Sequence, residues 1–152
     1  MVTRPERKSD YDEIYSLVKA AFETSPYADG DEQDFVVKLR ASGGYLPELA
    51  LVTEKDGRLV GHIMLTKTYI DTEAGKIEAL MLAPLAVLKE YRNKGLGAAL
   101  VNTSLEKAKK SGYKAVFLCG DPDYYGRFGF KSVINWQLAY TMKNIEAKYV
   151  LA

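Results

Sequence analysis

An apolar run ending in Leu85-Ala86-Val87 is followed by Arg92-Asn93-Lys94-Gly95-Leu96-Gly97-Ala98, and residue types in this order build an anion site. Glycines let a backbone approach a ligand closely. A helix opening here turns its unpaired N–H groups and positive dipole end toward a phosphate. Arg92 and Lys94 add positive charge at the same mouth. The segment lacks the third glycine of a dinucleotide fingerprint and the Gly-Lys-Ser/Thr of a P-loop. Taken alone, its glycines fit a tight strand-to-helix connection with solvated basic residues at least as well.

A second glycine-rich segment lies downstream. The apolar residues 115–119 lead into Gly120-Asp121-Pro122-Asp123-Tyr124-Tyr125-Gly126-Arg127-Phe128-Gly129-Phe130. Its tyrosines could serve as proton donors, or simply pack their rings, in a chain that holds 11 of them. Other titratable side chains are scattered. Glu78 lies on the strand that feeds the first loop, where a lone glutamate usually faces solvent. His62, the only histidine, sits among apolar residues and reads as an interior or surface residue. Cys119 closes an apolar strand and reads as a small hydrophobe. One Cys and one His cannot build a metal site, and none is expected. The acidic run from Asp29 to Asp34 reads as a solvated loop.

The spacing of these two segments carries a resemblance. Arg92, Gly95 and Gly97 match the Arg/Gln-x-x-Gly-x-Gly/Ala loop of the GCN5-related N-acetyltransferases (GNAT), which holds the pyrophosphate of acetyl-CoA. Tyr125-x-x-x-Gly129-Phe130 is similar to that family's segment beside the pantetheine arm. With Leu85-Ala86-Val87 before the loop, the chain resembles the YhbS-like branch of predicted N-acetyltransferases over essentially its whole length.

The resemblance implies acetyl-CoA as cosubstrate and residues 85–87 and 92–98 as its contacts. It implies Tyr125 as the acid facing the thioester sulfur, with Tyr124 as the alternative, and Glu78 as a candidate base. The reaction it implies is transfer of the acetyl group to an amine, on a small molecule or a polypeptide, by direct attack in a ternary complex. A non-catalytic acyl-CoA-binding sensor or interaction module is the rival reading, and an unrelated nucleotide-binding α/β protein a third. Members have a bulge in the strand before the loop, and Pro84, which cannot donate to a ladder, fits one. Branch members commonly carry proline where this chain has Lys89.

The elements that must position these residues follow from period and punctuation. Ser9 or Asp10 can cap a helix, with Glu13 completing a capping box. Ile14, Leu17, Val18, Ala21 and Phe22 make its apolar face, and Pro26 is expected to end it. A shorter helix is predicted over residues 34–41, burying Phe35 and Leu39. Strands over 49–54 and 58–69 flank Lys55-Asp56-Gly57, a hairpin signal. A further turn at 71–75 leads into a third antiparallel strand, 76–87. A helix over 97–110 then buries Leu100, Val101, Leu105 and Ala108. The almost wholly apolar strand 115–119 is expected to be covered on both faces. Trp136, Leu138, Tyr140 and Met142 alternate as a closing strand would.

The expected product is one α/β (α+β) acyl-CoA N-acyltransferase domain over residues 1–152. It has a mixed, mostly antiparallel sheet of about six to seven strands and about four helices. Lys and Arg number 21 against 20 Asp and Glu, so no bulk field favours nucleic acid or an anionic membrane. A single cysteine excludes an internal disulfide. No signal-peptide h-region opens the chain and no apolar run spans a bilayer. These features lead us to expect a cytoplasmic enzyme with an amine acceptor as partner, without nucleic acid or membrane, and they admit a homodimer.

Overall fold

The computed structural model describes residues 1–26, 28–132 and 150–151. Its elements run β1 (Val2–Pro5), α1 (Tyr11–Phe22), α2 (Glu32–Ala41), β2 (Ala50–Lys55), β3 (Arg58–Thr72), β4 (Gly75–Val87), α3 (Leu96–Lys110), β5 (Val116–Cys119), α4 (Pro122–Tyr125) and β6 (Val150–Leu151). The strands form one sheet in the order β1-β2-β3-β4-β5-β6. Every pairing is antiparallel except that of β4 with β5. This is the mixed, mostly antiparallel sheet expected from the sequence.

Side-chain alternation along β3 sorts the core into two layers. Val60 and Met64 point toward α1 and α2, where they meet Ile14, Leu17, Val18, Val36 and Ala86. Ile63 and Leu65 point the other way, onto Leu100 and Val101 of α3 and onto Leu80, Leu118 and Phe130. Helices α1 and α2 thus cover one face of the sheet and α3 the other.

The β2–β3 hairpin turns on Asp56 at φ 52° and Gly57 at φ 76°, the paired positive angles of a primed two-residue turn. In the β3–β4 ladder, Ile63 faces Leu85 and Leu65 faces Leu82. Ala83 and Pro84 therefore both oppose Met64. This is a β-bulge, and it puts Pro84 where no ladder hydrogen bond is lost.

Several expectations are corrected. Helix α1 ends at Phe22, four residues before Pro26. Helix α2 begins at Glu32 and buries Gln33 and Val36, while Phe35 is 40% exposed. Leu39 packs against the core as expected, but the rest of the inward face is carried by Gln33 and Val36 in place of Phe35. Strand β1 was not foreseen. It is polar and only four residues long, and its partners Leu51 to Glu54 lie about fifty positions away. Along β5 only Leu118 is fully buried, so that strand is less covered than its composition suggested. The proposed closing strand around Trp136 to Met142 lies outside the described residues.

Candidate active site

The loop after β4 is shaped by its backbone. Asn93 has φ 59° and Gly95 φ 81°, so the chain passes twice through the left-handed region that asparagine and glycine tolerate best. Gly95 caps α3, and the first helical hydrogen bond runs from the Ala99 N–H to the Gly95 carbonyl at 3.0 Å. The N–H groups of Leu96, Gly97 and Ala98 are therefore left at the open end of the helix. Because the unsatisfied donors and the dipole both face outward, this end of a fifteen-residue helix favours an anion.

A cavity of about 340 Å³ opens on this helix end. Leu85, Ala86 and Val87 of β4 line one side, with Arg92, Asn93 and Gly97 from the loop and α3. The opposite wall is the end of α1 and its following loop, from Ala21 to Pro26, and Tyr124 of α4 completes it. The structure thus brings together six of the residues expected to hold a cosubstrate. Of the other four, Gly95 and Ala98 belong to the backbone of the helix start. Leu96 points its side chain into the core beside Gly61. Lys94 is exposed, with Nζ donating to the Glu90 carbonyl at 3.0 Å and lying 5.8 Å from the Tyr91 ring.

Arg92 was expected to add positive charge at this mouth and to contact the cosubstrate. It lines the cavity, but its guanidinium is held by protein acceptors. Nε donates to the Val87 carbonyl at 3.0 Å, one terminal nitrogen to Thr24 Oγ1 at 2.8 Å, and the other to the Ala21 carbonyl.

The two adjacent tyrosines take different places. Tyr124 reaches the cavity, its oxygen 2.7 Å from where a Cβ on Gly97 would stand. The Arg127 guanidinium stacks 4.5 Å from its ring centroid. Tyr125 turns its ring against Gly120 and into an aromatic cluster, 4.9 Å from Tyr124 and 5.9 Å from Phe130. Burial, with a smaller contribution from Tyr124, pushes its phenol pKa above the ordinary value. Its hydroxyl makes no hydrogen bond among the described residues.

Glu78 is not brought to the cavity. It is exposed, faces Tyr69 across the hairpin, and lies 3.7 Å from Lys67 Nζ. Seven residues separate it from Leu85, about 23 Å along an extended strand.

A buried polar group that the sequence did not reveal lies under α2. Glu6, with its side chain fully buried, accepts from Arg40 at 2.7 and 3.1 Å, from the Tyr45 hydroxyl at 2.9 Å, and from His62 Nε2 at 2.9 Å. Burial alone would raise its pKa, but the hydrogen bonds from His62 and Arg40, with the Arg40 charge, outweigh it and hold the carboxyl well below the usual range. Burial pushes the His62 pKa down, so the imidazole is neutral and Nε2–H is the donor. These residues come from the start of the chain, α2, the following loop and β3. No local pattern announces such a meeting.

Comparison with known proteins decides which proteins use this arrangement. The family model described as an acetyltransferase (GNAT) domain matches residues 2–133. The chain belongs to the GNAT family. It is 34% identical to a protein named uncharacterized N-acetyltransferase YjhQ, from Escherichia coli K12, over 82% of this chain and 66% of that one. It is 32% identical to E. coli YhbS, likewise named an uncharacterized N-acetyltransferase, over 86% of this chain and 74% of the other. Among solved structures, a GNAT acetyltransferase from Brucella melitensis in complex with acetyl-CoA superposes with a TM-score of 0.78 at 33% identity. The match covers 86% of this chain and 82% of that chain. E. coli YhbS in complex with CoA superposes with a TM-score of 0.82 at 28% identity, covering 99% and 78%. The chain therefore falls in the YhbS-like part of the GNAT family.

Proposed function

We infer that this GNAT protein is an acetyl-CoA-dependent N-acetyltransferase that moves the acetyl group to an amine by direct attack within a ternary complex. One observation carries the reading. The cavity meets the open N-terminus of α3 at a loop whose left-handed turns expose backbone donors. Those donors suit a pyrophosphate, with the N–H groups of Gly95 to Ala98 as its holders and the β4 backbone from Leu85 to Val87 beside the pantetheine arm. Two structural neighbours carry acetyl-CoA or CoA, which supports the same cosubstrate here.

An alkylammonium of pKa near 10.4 is neutral in only about one molecule in a few thousand at pH 7. The site must therefore lower that pKa or carry the proton away. The free amine nitrogen then attacks the thioester carbon, and the C–S bond breaks with its electron pair on sulfur. On the register of Tyr125 with Gly129 and Phe130, we assign the proton given to that sulfur to Tyr125, which packs beside the cavity-lining Tyr124. Its phenolate is restored from solvent, which also takes the proton lost by the amine. An ordinary phenol is already protonated near neutral pH, and burial, by raising the Tyr125 pKa further, makes it a weaker acid, so its contribution is limited. Glu78 does not line the cavity, which favours a path through solvent over Glu78 as the base.

The acceptor class remains an amine on a small molecule or a peptide. The described residues contain no helix long and apolar enough to cross a membrane, and with a single cysteine this fits a cytoplasmic setting. The test is release of free CoA from acetyl-CoA across polyamines, aminoglycosides, amino acids and peptides. Release with one class and none without acceptor is the expected result. Tight CoA binding without turnover on any amine would favour the non-catalytic sensor.

A further inference from the structure

We propose that Arg92 is a positioning residue, a latch that fixes the end of α1 to the end of β4 and so sets the width of the cavity between them. The proposal rests on the reading of that cavity as the acetyl-CoA site, but it concerns a different property of the loop. A motif arginine beside a phosphate site is most simply a source of positive charge. Here the side chain spans from Val87, the last residue of β4, to Ala21 and Thr24, and all four residues line the same cavity. A guanidinium carries five N–H donors in a rigid fork. Three of them are committed to two carbonyls and a hydroxyl on opposite walls.

The acceptors explain why the latch is an arginine. The Ala21 carbonyl belongs to the last turn of α1, where helix carbonyls lack intrahelical partners and the dipole end is negative. A cation is favoured at that point before any ligand arrives. The Val87 carbonyl is the last of β4. A single planar group reaches both and Thr24 Oγ1 as well, whereas a lysine ammonium is a compact charge on a flexible stem. Moving the guanidinium onto a phosphate would leave the Ala21 and Val87 carbonyls without this donor. The remaining two N–H groups, one on each terminal nitrogen, can face the cavity without that loss.

The latch also assigns Thr24 a role. Its hydroxyl is the one side-chain acceptor among the three, so it can be removed without touching the cofactor loop. Thr24 Oγ1 accepts from Arg92 and itself donates to the Ala21 carbonyl at 3.3 Å, so the two side chains converge on one acceptor and their substitutions should fail to add fully.

The experiment compares wild type, Arg92→Lys, Thr24→Val and the double variant by amide hydrogen exchange over residues 18–26, and by calorimetry with CoA as the probe. In the ligand-free protein we expect exchange at the end of α1 to quicken at least tenfold in Arg92→Lys and less in Thr24→Val. The double variant should quicken exchange by less than the product of the two single effects. In Arg92→Lys, which keeps the charge, any loss of CoA affinity should come together with the quickened α1 exchange, and the protection CoA confers on the α1 segment should be lost. Unchanged α1 exchange in both single variants overturns the latch. So does a tenfold or greater loss of CoA affinity in Arg92→Lys with α1 exchange intact, since that is the signature of a phosphate contact. If Arg92→Lys does not fold, Thr24→Val alone decides through its α1 exchange. Failure of wild type to bind CoA would instead strike the cavity reading and leave the ligand-free comparison standing.

Discussion

The hydroxyl oxygen of Tyr124 and the α-carbon of Gly97 are packed so closely that a Cβ on Gly97 would stand 2.7 Å from that oxygen. The next neighbours of such a Cβ are Val87 Cγ2 at 3.8 Å and Tyr124 Cζ at 3.9 Å, both ordinary contacts. Gly97 therefore serves two partners, the phenol and, in the proposed function, a phosphate.

Substitution can separate these two demands. Gly97→Ala should cost roughly 1–3 kcal/mol of stability through overpacking, and adding Tyr124→Phe should return most of it. Neither Gly97→Ala alone nor the pair should bind CoA normally, and Gly97→Leu should lose at least tenfold, about 1.4 kcal/mol. Thermal unfolding and calorimetry on the same samples read the two effects. Normal CoA affinity in a folded Gly97→Leu protein would remove the loop from cofactor binding.

For the proton donor, Tyr125→Phe should lower kcat by roughly ten- to a hundredfold while CoA affinity holds. A thiol of pKa near 8.5 is already a tolerable leaving group near neutral pH, which limits the benefit of a proton. Tyr124→Phe is the matched comparison. Its hydroxyl faces the helix start, so its effect should fall on KM for acetyl-CoA. A larger kcat loss in Tyr124→Phe would transfer the acid role to it.

The Glu6 network predicts an acid-sensitive fold. A carboxyl held at about 2 against an ordinary 4.5 stabilises the native state fully above pH 4.5, and that contribution is lost as pH falls toward 2. His62, whose pKa is lowered in the folded state, works in the same direction. Once pH drops below about 6.5, the unfolded chain gains a proton that the folded one refuses. The melting temperature should therefore fall between pH 7 and 5 and more steeply below 4.5. Glu6→Gln should flatten the lower limb and cost roughly 3–5 kcal/mol at pH 7, because Arg40 loses its buried partner.

Glu78→Gln should change kcat and its pH profile by no more than about twofold, as expected for an exposed pair with Lys67. A lost basic limb in that variant would return Glu78 to the mechanism.

What the sequence made legible was local. Asp56-Gly57 demanded a primed turn, the 3.6 period of Ile14 to Ala21 gave the face of α1, and the glycine spacing located the loop at α3. What stayed hidden depends on tertiary meetings. Arg92 could be read as a charge at a mouth, but its acceptors at Ala21 and Thr24 lie about seventy residues earlier. His62 looked like an interior residue and is one, yet nothing beside it pointed to Glu6. Phe35 was misread because Leu39 shares a helix face with Val36 as readily as with Phe35, and Val36 takes the core place. The far wall of the cavity, from Ala21 to Pro26, carried no motif at all.

Strand β4 follows β3 along most of its length, but pairs with β5 only at Leu80 and Met81. Beyond that point no strand among the described residues pairs with the edge of β4 that lines the cavity, and on the proposed function a bound cosubstrate would supply the contacts that a neighbouring strand would otherwise make. Folding and cosubstrate supply are then one equilibrium: a ligand at a hundred times its Kd adds about 2.7 kcal/mol to the native state. A cell short of acetyl-CoA would hold this enzyme not merely idle but loosened, exposed to proteases for longer, and its abundance would follow the acetyl supply that it spends.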